Sequence, residues 1–224
     1  MTYTLAEEDY LKAIYKIAER HGTPVSTSAI AELMQTRPAS VTDMLKKLAD
    51  KELIDYKRYH GVSLTRTGAR QATLLIRKHR LWECFLVDKL GFSWDEVHEI
   101  AEQLEHIQSD TLIDRLDDYL ENPKFDPHGD PIPDASGAYR MRYQILLSDL
   151  GLHKPAVLVG VREHASSFLQ YLDQNRLALG ATLEVVEVLP YDGSVRLRLG
   201  DGEPILISGQ VARQLYVRQT TESA

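Results

Sequence analysis

Apolar residues recur at helical spacing along the chain as far as Tyr119 and at alternate positions beyond it. Thr4-Leu-Ala-Glu7 is a capping box, in which the hydroxyl accepts a backbone N–H and Glu7 reaches back. Leu11, Ile14, Tyr15 and Ala18 continue it as a helical stripe that stops at Gly22. A second helix opens between Pro24 and Thr27 and buries Ala29, Ile30 and Leu33. Met34-Gln-Thr-Arg37 is a short turn, and Pro38 then starts a third helix at a position where its missing N–H costs nothing. Val41, Leu45 and Leu48 face inward there. The run from Leu53 and the run from Val62 flank His60-Gly61, which predicts a hairpin. A long helix follows over 67–90, closed by Gly91. Ser93, with Glu96 three residues on, predicts a helix from Trp94 to Ile107, and Ser109 caps a further one through Tyr119. After a Pro/Gly-rich stretch from Asn122 to Asp134 the period changes. Ala156–Val161, Leu183–Leu189, Ser194–Leu199 and Pro204–Ile207 read as strands, with Asp192-Gly193 and Asp201-Gly202 as turns. Ser166–Leu177 and Ser208–Leu215 are short helices within that region, and a last strand follows.

The fold class is therefore mainly α with a small β domain. Two short helices joined by a tight turn, the second with a small polar outer face, read as helix-turn-helix. The hairpin tip, with Lys57, Arg58 and His60, reads as its wing. The expected DNA-contacting residues are Thr27, Arg37, Pro38, Ala39, Ser40, Thr42, Asp43, Lys46, Arg58 and His60. A winged fold used only for protein contacts is the competing reading. Charge sharpens the picture. The chain is −7 overall, yet residues 1–80 carry 14 Lys+Arg against 9 Asp+Glu, whereas the remainder carries 12 against 24. A basic head on an acidic body suits phosphate contact. The apolar faces of the long helices exceed what a small head needs, so a homodimer matched to a palindromic operator on double-stranded DNA is expected. No apolar run is long enough to span a membrane, no secretory pattern opens the chain, and Cys84 stands alone, so the expected location is cytoplasmic.

The chemistry is concentrated from His79 to His106. His79 and Glu83 are one helical turn apart, and His98, Glu102, Glu105 and His106 fall within about 100° of a second helix. Imidazoles and carboxylates in that pattern suit a divalent metal ion; a solvated acidic face is the plain alternative. Asp9, taken alone, is a helix-dipole partner. Cys84 reads as a small buried hydrophobe rather than a ligand. A carboxylate-bridged metalloenzyme would call for Glu-x-x-His pairs, which this stretch lacks, so the chain is not read as an enzyme. A winged-helix regulator that ignores metal and answers to a small molecule is the third reading.

A winged helix-turn-helix followed by R-K-H-R-L-x-E, then V-H-x-x-x-E-x-x-E-H, then P-x-G-x-P-I-P resembles the diphtheria toxin repressor family, whose members include iron-dependent regulators and manganese transport regulators. The resemblance covers essentially the whole chain. It implies a DNA-binding domain over 1–72, a helical dimerisation and metal-binding domain with its linker over 73–138, and an SH3-like (FeoA-like) β-barrel over 139–224. It implies a metal-activated repressor of metal-ion uptake with two metal sites per subunit, one on Asp9, Glu102, Glu105 and His106, the other on His79, Glu83 and His98. Asp126 and His128 of the linker, and His164 of the tail, are additional candidate ligands on the same grounds. Iron-type members carry Met and Cys where this chain has Asp9 and Glu102. All-oxygen donors there favour Mn(II), with Fe(II) the alternative. Lys12 stands where two-manganese members carry a further Glu. An ammonium does not ligate, so separate sites are expected rather than a closely paired cluster.

Overall fold

The computed structural model describes residues 3–57 and 60–220. Arg58, one of the expected DNA contacts, lies outside the described residues. The chain forms two compact units. One comprises Met1–Trp82, Ala101–Glu121 and Ile132–Tyr139; the other comprises Glu83–Ile100, Asn122–Pro131 and Arg140–Ala224.

The first unit begins with α1 (Leu5–His21). Its capping box is formed in both directions, Thr4 Oγ1 accepting from the Glu7 amide at 3.3 Å and Glu7 accepting from the Thr4 amide at 2.9 Å. Helices α2 (Thr27–Leu33) and α3 (Pro38–Asp50) follow, with Ser26 capping α2 and proline in the first turn of α3. Strands β1 (Ile54–Lys57) and β2 (Gly61–Leu64) pair antiparallel from Ile54–Leu64 to Lys57–Gly61. Val25 bridges to Val62, which fastens the hairpin to the segment before α2. Leu11, Ile14, Ile30, Val41, Leu45, Leu48 and Val62 form the shared core, fully shielded from solvent. The winged helix-turn-helix read from the sequence is therefore the built architecture.

Helix α4 (Arg66–Leu90) contributes its first part, through Trp82, to this unit. Its first turn packs through Gly68 on the segment between α3 and β1, where an added Cβ would fall 1.9 Å from the Leu53 carbonyl oxygen. Helix α6 (Asp110–Tyr119) is capped by Ser109 as expected. Arg77, almost fully buried, donates to the Asp117 carboxylate at 2.8 Å and to the Pro133 carbonyl at 3.0 Å, so one guanidinium ties α4 to α6 and to the 132–139 segment.

Helix α5 (Val97–Leu104) is shorter than the pattern predicts. Ser93 does not cap a helix. Its hydroxyl donates to Asp95 at 2.5 Å, and Asp95 also accepts from Ser166 at 2.9 Å and Gln170 at 2.7 Å. Trp94 Nε1 donates to Asp173 at 3.0 Å. These contacts, made within the second unit, hold residues 94–96 as a turn, a tertiary effect that a capping rule does not see.

The rest of the second unit is a sheet of β3 (Ile145–Leu146), β4 (Ala156–Val161), β5 (Thr182–Val188), β6 (Val195–Leu199), β7 (Ile205–Ile207) and β8 (Leu215–Gln219), with α7 (Ser166–Gln174) and α8 (Gly209–Ala212) between strands. The strand order is β3-β8-β4-β5-β6-β7, all described pairs antiparallel. Strand β3 is too short to show alternation in the sequence. Bulges between Leu158 and Gly160 and between Val185 and Glu187 curl the sheet around a core of Leu158, Leu169, Leu172, Leu177, Val185, Leu197 and Val217.

Replacing a helical glycine by alanine ordinarily stabilises by about 1 kcal/mol. Gly68→Ala is expected to reverse that sign and lower the unfolding free energy, because the new methyl meets backbone. Denaturant titration of the two proteins checks it.

Candidate metal centre

Three stretches of the first unit converge: the first and second turns of α1, the middle of α4, and the end of α5 with the turn after it. Along α1, Glu8, Asp9 and Lys12 share a face. Helix α4 presents His79, and α5 presents Glu102, with Glu105 and His106 in the turn directly after Leu104. Glu105 is completely buried, His79 and Lys12 nearly so, and Asp9 and Glu102 are each rather more than one-third exposed at the side chain.

One ligand atom from each of Asp9, Glu105 and His106 lies within 4.8 Å of the others. His106 is held between two carboxylates of adjacent residues. Its Nδ1 is 2.7 Å from Glu8 and its Nε2 is 3.1 Å from Asp9. Gln108 Nε2 donates to the second oxygen of Glu8 at 2.8 Å. Burial pushes the Asp9 carboxyl up. The imidazole of His106 opposes that shift, whereas Glu105 and Glu102 reinforce it. Two carboxylates and an imidazole, all oxygen and nitrogen donors, fit a divalent cation that would relieve this repulsion.

The neighbouring group, His79, Glu102 and Glu105, also has ligand spacing. There the chain supplies its own cation. Lys12 Nζ donates to Glu102 at 2.8 Å and to both oxygens of Glu105 at 2.8 and 2.6 Å, and lies 3.4 Å from His79 Nδ1. His79 Nδ1 is in turn 2.6 Å from Glu105. Burial raises the Glu102 carboxyl, but the ammonium beside it prevails and holds it at about 2. The sequence marked Lys12 as a residue that does not ligate a metal ion; the fold makes it the partner of the buried Glu105 and of the part-exposed Glu102.

Of the other expected ligands, Glu83 and His98 meet in the second unit, His98 Nδ1 lying 3.4 Å from Glu83 Oε1. Asp126 and His128 join Glu83 there, all three buried and with one ligand atom each within 4.8 Å. His128 donates from Nε2 to the Trp94 carbonyl at 2.8 Å. Its Nδ1 is 3.6 Å from Glu83 and 4.0 Å from Asp126, and has no hydrogen-bond partner among the described residues. Burial lowers the His128 imidazole, but Glu83 and Asp126 carry it up to about 9. His164 stacks on it with ring centroids 4.7 Å apart, and burial brings His164 down to about 4. Cys84 is buried as expected; burial pushes its thiol up, and the sulfur points at the Phe125 carbonyl at 3.7 Å.

On the head, Arg37, Pro38, Ala39, Ser40, Asp43, Lys46 and His60 are exposed, while Thr27 and Thr42 are half-buried. Thr42 Oγ1 donates to the Pro38 carbonyl at 3.0 Å and Lys46 pairs with Asp43 at 3.1 Å, so both pairs are locally engaged. The sequence reading missed Glu8 and Gln108. Glu8 sits beside Asp9 with nothing in spacing to set it apart, and Gln108 falls outside any helical register with His106.

Family models match three successive stretches. "Iron dependent repressor, N-terminal DNA binding domain" matches residues 3–62, "Iron dependent repressor, metal binding and dimerisation domain" matches 65–134, and "FeoA domain" matches 145–219. The HTH-type transcriptional regulator MntR of Oceanobacillus iheyensis is 36% identical over 117 residues, which are 52% of this chain and 78% of that one. The iron-dependent repressor IdeR of Mycobacterium leprae is 36% identical over 126 residues, 56% of this chain and 54% of that one, so the match spans about half of that relative. A solved structure of a manganese-dependent transcriptional repressor in complex with manganese covers 96% of this chain and 100% of its own, at 32% identity and a TM-score of 0.84.

Removing one partner of a buried ion pair typically costs roughly 3–5 kcal/mol. Lys12→Met is expected to lower metal-free stability by about that much, since Glu102 and Glu105 would then face each other without a cation. Addition of Mn²⁺ is expected to restore part of the loss. Thermal unfolding in chelator and in Mn²⁺ measures both.

Proposed function

Because the chain belongs to the diphtheria toxin repressor family of metal-dependent regulators, we propose that it is the manganese-responsive kind, repressing genes of metal-ion uptake in the cytoplasm. As a family member it is a DNA-binding, metal-dependent transcriptional repressor with a dimerisation domain, and not an enzyme. No helix among the described residues is long and apolar enough to cross a membrane.

The observation that carries the reading is the meeting of Asp9 with Glu105 and His106 inside the unit that holds the winged helix-turn-helix. Asp9, Glu105 and His106 would hold the ion, with Glu102 beside them. Bound there, the ion supplies two positive charges to a group of acids that otherwise repel. Donors of oxygen and nitrogen alone favour Mn(II) relative to a thiolate site; Fe(II) is the second reading, supported by the likeness to the mycobacterial iron-dependent repressor. A second site in each subunit would use Glu83 and His98, with Asp126, His128 and His164 around them. The Nδ1 of His128, 3.6 Å from Glu83 and 4.0 Å from Asp126, supports that placement. His79, expected at that second site, also meets Glu105 and Lys12 within the first unit.

The chain's own residues set what the metal has to change. Lys12 already fastens α1 to Glu102 and Glu105, and Glu8 already holds His106. The first helix is thus tied to that cluster by the chain's own side chains. Regulation would act through an adjustment of α1, with the ion favouring the DNA-competent arrangement by its differential affinity. In the dimer that adjustment sets the spacing of two recognition helices, one turn of B-DNA or a multiple apart, over a palindromic operator. Thr27, Arg37, Pro38, Ala39, Ser40, Thr42, Asp43, Lys46, Arg58 and His60 would contact it.

Operator binding followed by fluorescence anisotropy in metal-buffered, oxygen-free solution tests the proposal. Mn²⁺ is expected to tighten binding by 10-fold or more on the scale of ordinary allosteric coupling, about 1–3 kcal/mol. Asp9→Asn and His106→Ala should abolish the gain, and Fe²⁺ should act more weakly. Equal binding in chelator and in Mn²⁺ would falsify it.

A further inference from the structure

His106 has a carboxylate on each ring nitrogen, and the two carboxylates come from consecutive residues of α1. Glu8 faces Nδ1 at 2.7 Å and Asp9 faces Nε2 at 3.1 Å. The two acids are not equivalent. Asp9 is more than one-third exposed at the side chain and groups with Glu105 at ligand spacing. Glu8 is 8% exposed, and its other oxygen accepts from Gln108 at 2.8 Å. Gln108 also donates to the His106 carbonyl at 3.3 Å, so the amide braces Glu8 against the same residue that Glu8 holds. Consecutive helix positions diverge by about 100°, which sends the two side chains to opposite edges of the imidazole.

An imidazole that binds a cation does so through a lone pair, and its other nitrogen then carries the proton. A carboxylate accepts and never donates when ionised, so the Glu8 hydrogen bond keeps a proton on Nδ1. Nε2, the nitrogen that faces Asp9, is then the one left to release its proton and take the ion. A hydrogen bond from the far N–H of a ligating histidine to a carboxylate fixes both tautomer and ring orientation and makes the ring a better donor.

We propose that Glu8 is the positioning residue of the candidate centre: it holds His106 by Nδ1–H so that the ion is bound through Nε2, and Gln108 holds Glu8. The inference rests on the reading of Asp9, Glu105 and His106 as ligands and adds the donor atom and the residue that selects it. It also assigns the paired acids of α1 to separate tasks, one to the ion and one to the ring behind it.

Two measurements test it on the full-length chain. The first is Mn²⁺ affinity by titration calorimetry. Loss of an outer hydrogen-bond partner costs about 10- to 100-fold in metal affinity. Glu8→Ala is expected to weaken binding by that factor, and Glu8→Gln, which keeps an acceptor oxygen, to fall between it and the parent. Glu7→Gln is the control. Glu7 is equally buried on the same turn but pairs with Lys51 at 2.6 Å, so its loss is expected to cost stability and leave Mn²⁺ affinity unchanged. The second measurement needs no variant. With ¹¹³Cd²⁺ in the unaltered protein labelled with ¹⁵N-histidine, cadmium coupling is expected at His106 Nε2, with a proton on Nδ1. Coupling at Nδ1 overturns the inference, as does parent-like affinity in a folded Glu8→Ala protein. If Asp9→Asn and His106→Ala leave Mn²⁺ affinity intact, the ligand reading itself falls, a different result from the failure of Glu8 alone.

Discussion

A lysine ammonium buried among acids organises the first unit. Lys12 is 4% exposed, and Glu105, which it grips through both oxygens, is wholly enclosed. Burying charge in a low-dielectric interior costs several kcal/mol per ion unless each is paired and hydrogen-bonded. Here the three donor hydrogens of the ammonium find Glu102 and both oxygens of Glu105. The pairing fixes how far along its axis α1 lies against the end of α5, and so fixes where Asp9, one turn earlier, can meet His106. The geometry of the centre depends on that register.

The arrangement divides one acidic cluster into two halves with different cations. In the half with His79, the cation is covalently part of the chain and always present. In the half with Asp9 and His106, repulsion among Asp9, Glu102 and Glu105 persists, and burial adds to it. Glu105 belongs to both halves. Any change in how Glu105 shares its charge is therefore felt by Lys12, and through Lys12 by the first helix of the head. That is a short link from a charge in the turn after α5 to the first helix of the head, and it uses only direct contacts.

Much of this was legible in the sequence. The capping box at Thr4, proline at the start of α3, the hairpin at Gly61 and the cap at Ser109 are local rules, and each appears as expected. The histidine–carboxylate spacing singled out Glu105 and His106, whose ligand atoms the fold brings within 4.8 Å of each other. Three things were not legible. The start of α5 moved because Asp95 is captured by Ser166 and Gln170, side chains some seventy positions away. The role of Lys12 reversed because a charge that repels a free ion can instead neutralise the same acids, and only the fold shows whether it reaches them. Glu8 stayed hidden because adjacent acids on one helix look alike until the ring between them is in place.

The enclosed cysteine has a consequence for when such a protein can work. Peroxide and disulfides attack thiolate, and Cys84 is buried with its thiol pushed well above the ordinary range. The cluster on α1, α4 and α5 is built of carboxylates, imidazoles and one ammonium, none of which climbs the sulfur oxidation ladder. Oxidants that act on thiols therefore leave these candidate ligands chemically intact.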